Sequence, residues 1–93
     1  MTAVRVVRES ALEKEGTDYA ESRGWFQFKI QKASKRGVPD RFYLRGGRVV
    51  FIEWKRPGTE PTPQQVKRHQ EIRAHGGEVH VVDSMEKLYV VLV

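Results

Sequence analysis

The sequence has no cysteine and only four prolines among its 93 residues. Without thiols there can be no disulfides, no cysteine-rich zinc sites and no cysteine nucleophile, and the chain suits a reducing compartment. No apolar run approaches the roughly 20 residues that span a bilayer. The opening stretch, Met1 to Arg8, holds three valines but neither an apolar h-region nor a small-residue cleavage site. We therefore expect no membrane contact, no signal peptide and a cytoplasmic location. Internal repeats and low-complexity tracts are also missing, so residues 1–93 are expected to form a single domain. A chain this short buries only roughly 60 to 70% of the surface its unfolded form exposes, so its core is small and self-association into a homodimer is one way to add stability.

Positive charge is plentiful. Lys and Arg number 17 against 12 Asp and Glu, a net charge of +5 with a pI near 9.8. That balance favours an anionic partner such as nucleic acid over a merely soluble basic domain.

Local signals give the order of elements. Ser10-Ala11-Leu12-Glu13 fits a capping box and predicts a helix from Ser10 to about Arg23, closed by Gly24. Gly16 should weaken that helix by about 1 kcal/mol relative to alanine, which packing must offset. A strand is expected at Trp25 to Ile30, then a polar, basic loop from Gln31 to Gly37. Pro39 lacks an N–H and belongs at a strand start. Arg41–Leu44 and Arg48–Trp54 read as a hairpin around Gly46-Gly47, and Val49-Val50-Phe51-Ile52, apolar on both faces, predicts a central strand. After a Pro/Gly loop, Thr62-Pro63-Gln64-Gln65 combines an N-cap, a proline at the first helical position and a second capping box. Its helix should stop before Gly76-Gly77. Val79–Val82 is a further strand, Ser84 caps a helical turn through Leu88, and Tyr89–Val93 reads as a terminal extended run. The expected fold is α/β: a central mixed sheet with an antiparallel hairpin, flanked by helices, in the order α-β-β-β-α-β.

Chemistry concentrates on the hairpin. With Gly46 and Gly47 as the two central turn residues, Arg45 faces Arg48, Phe42 faces Phe51 and Asp40 faces Glu53. A three-residue turn would shift the pairing by one and send Glu53 to the opposite face. Opposed carboxylates repel unless something compensates, and Asp40 and Glu53 are hard oxygen ligands suited to Mg²⁺ or Mn²⁺. The Trp54 carbonyl could add a ligand. Lys55 shares the face of Glu53 because side chains alternate, and is assigned to stabilising developing phosphoryl charge and positioning water. Such a site suits phosphodiester hydrolysis. The bland alternative is a solvated group of surface charges.

Gly37-Val38-Pro39-Asp40-Arg41, then Gly46-Gly47-Arg48-Val49-Val50-Phe51-Ile52-Glu53-Trp54-Lys55, then Thr62-Pro63-Gln64-Gln65, resembles the VRR-NUC family of the PD-(D/E)XK nuclease superfamily, from about Ser10 to Ser84. The resemblance implies a metal-dependent DNA endonuclease in which Asp40, Glu53 and Lys55 match the catalytic signature, Glu13 the acidic residue of the first helix, and Gln65 the glutamine after the Thr-Pro step. It makes Glu13 a further metal ligand, with Glu9 and Glu15 as substitutes. Glu13 and Gln65 also complete capping boxes, so each has a structural reading as well. Small stand-alone members resemble dimeric enzymes that resolve branched DNA such as Holliday junctions. A monomeric flap- or end-directed nuclease and a non-catalytic DNA-binding module are the alternatives.

Lys29, Lys32, Lys35, Arg36 and Arg41 surround the Pro39-Asp40 turn, and Lys67 and Arg68 extend the same expected DNA footprint. His69, His75 and His80 have no ligand spacing and read as surface or helix-end residues. Trp25, Phe26, Phe28 and Phe51 read as core.

Overall fold

The structure, a computed structural model, describes residues 8–93. The reading of the opening stretch as free of a signal peptide falls on residues 1–7, outside the described ones. Helix α1 (Glu9–Ser22) leads to strand β1 (Phe26–Lys29), and β2 (Arg41–Arg45) and β3 (Arg48–Trp54) form the hairpin. Helix α2 (Pro63–Ala74), strand β4 (Val79–Val82) and helix α3 (Met85–Val91) complete the chain. The sheet order is β1-β2-β3-β4. The first two pairings are antiparallel and β3–β4 is parallel, as a crossover through α2 requires. The α/β fold with a mixed sheet is therefore as expected, and β3, with a partner on each side, is central. Among the described residues no helix is long and apolar enough to cross a membrane.

The hairpin register is set at its turn. Gly46 and Gly47 have φ of 58° and 82°, the left-handed pair that a two-residue turn between twisted strands demands. Arg45 consequently pairs with Arg48 and Phe42 with Phe51. Residues opposite one another share a face, so Gln27, Lys29, Arg41, Tyr43, Val50, Ile52 and Trp54 lie on one side of the sheet. Phe26, Phe28, Phe42, Leu44, Val49, Phe51 and Glu53 lie on the other.

Helices α1 and α3 cover the first side. Its core contains Leu12, Ala20, Trp25, Tyr43, Val50, Ile52, Trp54, Leu88, Val91 and Leu92. Within it a short polar chain is satisfied internally: Trp54 Nε1 donates to the Tyr43 hydroxyl at 3.1 Å, which lies 2.9 Å from Thr17 Oγ1. These bonds tie α1 to β2 and β3, and leaving them unmade in the core would cost about 1–3 kcal/mol. Gly16 lies directly over the Trp54 indole.

Three local expectations differ. Helix α1 begins at Glu9 after Arg8, with no side-chain cap. The Ser10–Glu13 capping box is not formed, because the Glu13 carboxylate is drawn to Arg41 instead. The run Tyr89–Val93 is not extended, since α3 continues to Val91. Its β-branched residues favour strand locally, but Leu88, Val91 and Leu92 have helical spacing, and burying them decides the conformation. Finally, Phe26 and Phe28 are not core residues, being 62% and 48% exposed. Trp25 is buried, whereas Phe28, Phe42 and Phe51 form an aromatic ladder with centroid spacings of 4.7 and 5.7 Å on the second side.

The C-terminus is tied to the hairpin by Arg48, which donates to Glu78 at 2.7 and 3.0 Å and to the Val91 carbonyl at 2.7 Å. Arg48, and after it His80, hold the Glu78 carboxyl down at about 2, against an ordinary 4.5. Above pH 4.5 the ionised carboxylate stabilises the fold; as pH falls toward 2 the unfolded chain binds the proton first, and that stability is lost. Glu78→Gln is expected to remove this acid dependence and to cost about 0.5–1 kcal/mol at pH 7, the pair being partly exposed and screened. Denaturant titrations by circular dichroism at pH 7 and pH 3 check it, and equal losses at both would contradict it.

Candidate metal centre

The β2–β3 ladder ends at the Arg41–Ile52 pair. One step beyond, the same register sets Asp40 against Glu53. The strands separate there, because the Trp54 backbone N–H donates to Asp40 Oδ2 at 2.8 Å. The Asp40 backbone still follows the sheet on its other side, accepting from Ile30 N at 2.8 Å. Asp40 is thus held at both ends, by its carbonyl toward β1 and by its carboxylate toward β3.

Glu53 is 1% exposed. Burial, then contact with the neighbouring Asp40 carboxylate, pushes its carboxyl up to about 9; Lys55 acts in the opposite direction, and Glu9 adds to the rise. Lys55 is itself buried, and its backbone N–H donates to the Val82 carbonyl at 2.9 Å, so β4 fixes the position of the lysine. The structure therefore brings Asp40, Glu53 and Lys55 together at the end of β3. Glu53 Oε1 is buried without a hydrogen-bond partner. Crowded carboxylates with an unpartnered buried oxygen fit a divalent cation, which would take up the charge that desolvation otherwise forces off the pair. Among the described residues no group of three or more His, Asp or Glu side chains converges on one cation position. Any ion held here would complete its shell from carbonyl, water or phosphate oxygens, as Mg²⁺ commonly does.

The other expected site residues are more dispersed. Glu13 does not join the carboxylate pair: its Oε2 takes a 2.5 Å bond from Arg41 Nε and lies 4.0 Å from Lys29 Nζ. The carboxylate of α1 that acts on Glu53 is Glu9. Gln65 closes the capping box with Thr62, accepting from the Thr62 N–H at 2.9 Å while its own N–H reaches Thr62 Oγ1 at 3.2 Å. Its carbonyl oxygen is accordingly engaged in starting α2. Of the basic residues, Lys32, Lys35, Arg36 and Lys67 are exposed, and Lys29 is half exposed. Arg41 and Arg68 are engaged within the fold: Arg41 bonds Glu13 and Gln27, and Arg68 bonds Glu71 and the Arg36 carbonyl. Arg68 thereby ties the basic loop to α2.

Two features were missed in the sequence. Arg8, Lys29 and Arg56 line a cleft of about 680 Å³ with Glu9 and Glu13; Arg56 directly follows Lys55, and that adjacency was the available signal. His69, expected at the surface, is 2% exposed, with Nε2 3.5 Å from Glu53 Oε1. Burial, then Arg73, lowers its pKa, so with Glu53 raised the two meet at neutral pH as uncharged groups and not as an ion pair. The weak amphipathic pattern of α2 gave no warning that position 69 points inward.

No family model matches the chain. A curated relative, "Putative nuclease p44" of Acyrthosiphon pisum secondary endosymbiont phage 1, is 37% identical over 84 residues, covering 89% of this chain and 90% of the relative. A solved structure described as a "VRR_NUC domain" matches with a TM-score of 0.81 and 28% identity, over 90% of this chain and 92% of that one.

Proposed function

Since this chain belongs to the VRR-NUC family of nucleases, we propose that it is a Mg²⁺- or Mn²⁺-dependent DNA endonuclease acting on branched DNA as a homodimer. The observation that carries the reading is the buried Glu53 carboxylate, crowded by Asp40, accompanied by Lys55 and left with an unpartnered oxygen. Asp40, Glu53 and the Trp54 carbonyl would hold the cation, which when bound supplies Lewis-acid polarisation of the phosphoryl group and offsets charge on the leaving oxygen. The Trp54 N–H fixes one Asp40 oxygen and leaves the other to the site. The Lys55 ammonium stabilises developing phosphoryl charge and orients the attacking water. Lys32, Lys35, Arg36 and Lys67, together with Lys29 and Arg56, supply the positive surface that lets a polyanion approach a carboxylate site. Glu13 and Gln65 act one step back, by holding Arg41 and by starting α2.

Support for a second copy comes from the sheet side that α2 leaves bare. Phe26, Phe28 and Val49 are exposed beside Phe42, Leu44 and Phe51. None of these six carries a charge with which to track a phosphate backbone. An uncharged apolar patch with a polar surround matches the centre of a protein interface, and a two-fold pair suits a symmetric junction.

Incubation of the protein with labelled four-way junctions, flaps and linear duplex, in Mg²⁺ or in EDTA, is expected to give cleavage only with metal and preferentially at branches. Asp40→Asn and Lys55→Ala should each lower cleavage by about 100-fold or more while retaining DNA binding. Absence of metal-dependent cleavage on every DNA would defeat the enzyme reading. Light scattering separately checks the dimer, for which twice 10.8 kDa is expected; a monomer at working concentration would exclude paired cutting and leave a flap- or end-directed nuclease.

A further inference from the structure

We propose that His69 is a positioning residue, whose Nε2–H orients the buried Glu53 carboxylate for the cation; this deepens the metal-site reading above and rests on it. The two side chains come from different elements, His69 from the middle of α2 and Glu53 from β3, and each is 2% exposed. Their facing atoms, Nε2 and Oε1, are 3.5 Å apart, and both are among the described buried side-chain atoms with no hydrogen-bond partner. A neutral imidazole with its proton on Nε2 is a donor, and a carboxyl oxygen is an acceptor whether the group is protonated or ionised. Closing the gap to an ordinary N–H···O distance of about 2.9 Å takes only a small adjustment.

Helix α2 is well suited to present such a donor. Its start is fixed by the Thr62–Gln65 capping box, and Arg68, the neighbour of His69, is bonded to the Arg36 carbonyl at 2.8 Å. Both anchors hold the stretch of helix that leads into His69. An apolar side chain there would avoid the cost of leaving a buried polar group unpaired, so packing alone does not account for an imidazole at this position. Donation to one oxygen of a ligating carboxylate selects its rotamer and leaves the other oxygen for the metal, the usual work of a group that bonds a ligand instead of the ion. His69 is not read as a ligand itself, because no three-group cluster forms around it among the described residues.

Two amides of similar polarity provide the test. The side-chain nitrogen of Gln can reach the place of the histidine Nε2, whereas that of Asn falls short, near Nδ1. Mn²⁺ binding to the full chain, measured by calorimetry and by electron paramagnetic resonance of the free ion, is expected to weaken about 10- to 100-fold in His69→Asn and His69→Leu. His69→Gln should stay within about three-fold of wild type. The Mn²⁺ concentration for half-maximal cleavage should shift by the same factors, with the rate at saturating Mn²⁺ much less affected. If His69→Leu does not fold, the Asn/Gln comparison stands alone. Wild-type Mn²⁺ affinity in His69→Asn, or equal losses in Asn and Gln, would overturn the proposal. Should the wild type bind no Mn²⁺, the metal-site reading itself fails; should Asp40→Asn lose Mn²⁺ while His69→Asn keeps it, only the role of His69 fails.

Discussion

Glu53→Gln is expected to make the metal-free protein more stable and to abolish cleavage. Below pH 4.5 the folded and unfolded chains both carry the Glu53 proton, and the crowded carboxylates cost little. Between 4.5 and about 9 the unfolded chain has released that proton while the folded chain retains it, so folding takes up a proton and stability falls as pH rises. Glutamine keeps the shape without the ionisation. At pH 8 in EDTA the variant should be more stable by about 1–3 kcal/mol, or several degrees in melting temperature for a domain of this size. Cleavage should drop by more than about 100-fold. Saturating Mg²⁺ should raise the melting temperature of the wild type and not that of the variant, because only the wild type gains a ligand that binds the native state. Thermal melts at pH 5 and pH 8, with and without Mg²⁺, check all of this. A variant no more stable than wild type at pH 8 in EDTA would show that the site carries no such strain.

Gly16→Ala is expected to destabilise the protein, against the direction of helix propensity. Alanine inside a helix is favoured over glycine by about 1 kcal/mol, and a reading of α1 alone would predict a gain. A Cβ at Gly16, however, would collide with the Trp54 ring and come within 2.9 Å of Leu88 Cδ2. Those atoms belong to fully buried side chains, so any shift must be absorbed by the packing around them. The overpacking should exceed the propensity gain and leave a net loss of about 1–3 kcal/mol. Because the Trp54 backbone also orients Asp40, cleavage by the folded fraction should fall as well. Chemical denaturation together with single-turnover cleavage at a temperature where the variant is folded separates the two effects. A variant as stable as wild type would mean that helix and sheet adjust more easily than this packing indicates.

Features governed by local chemistry were legible in the sequence. The Gly46-Gly47 turn determined which residues oppose one another, and Asp40 and Glu53 followed from it. Thr62-Pro63-Gln64-Gln65 started α2 as a proline-containing capping box should. Misreadings arose where a distant partner outweighed a local preference. Glu13 had a capping role three residues from Ser10, but Arg41, far along the chain, bound it more strongly. Tyr89–Val93 had strand-forming residues, yet the α1 surface offered more to a helix. His69 gave no periodic signal, because one inward polar residue on a mostly polar helix is indistinguishable from its exposed neighbours until the sheet is placed beside it. Phe26 and Phe28 look like core by composition, and are exposed because α2 is too narrow to roof the whole sheet.

The bond from the Trp54 N–H to the Asp40 side chain has a mechanical implication. Up to Arg41 the two strands are fastened by main chain alone and behave as one stiff ribbon; at Asp40 the fastening passes to a side chain, like the last tooth of a zip replaced by a hook. A carboxylate can rotate where a peptide carbonyl cannot. The notch it leaves is therefore adjustable at its mouth and rigid at its root, so an ion or a phosphate entering there meets a fitting with a small, bounded amount of play.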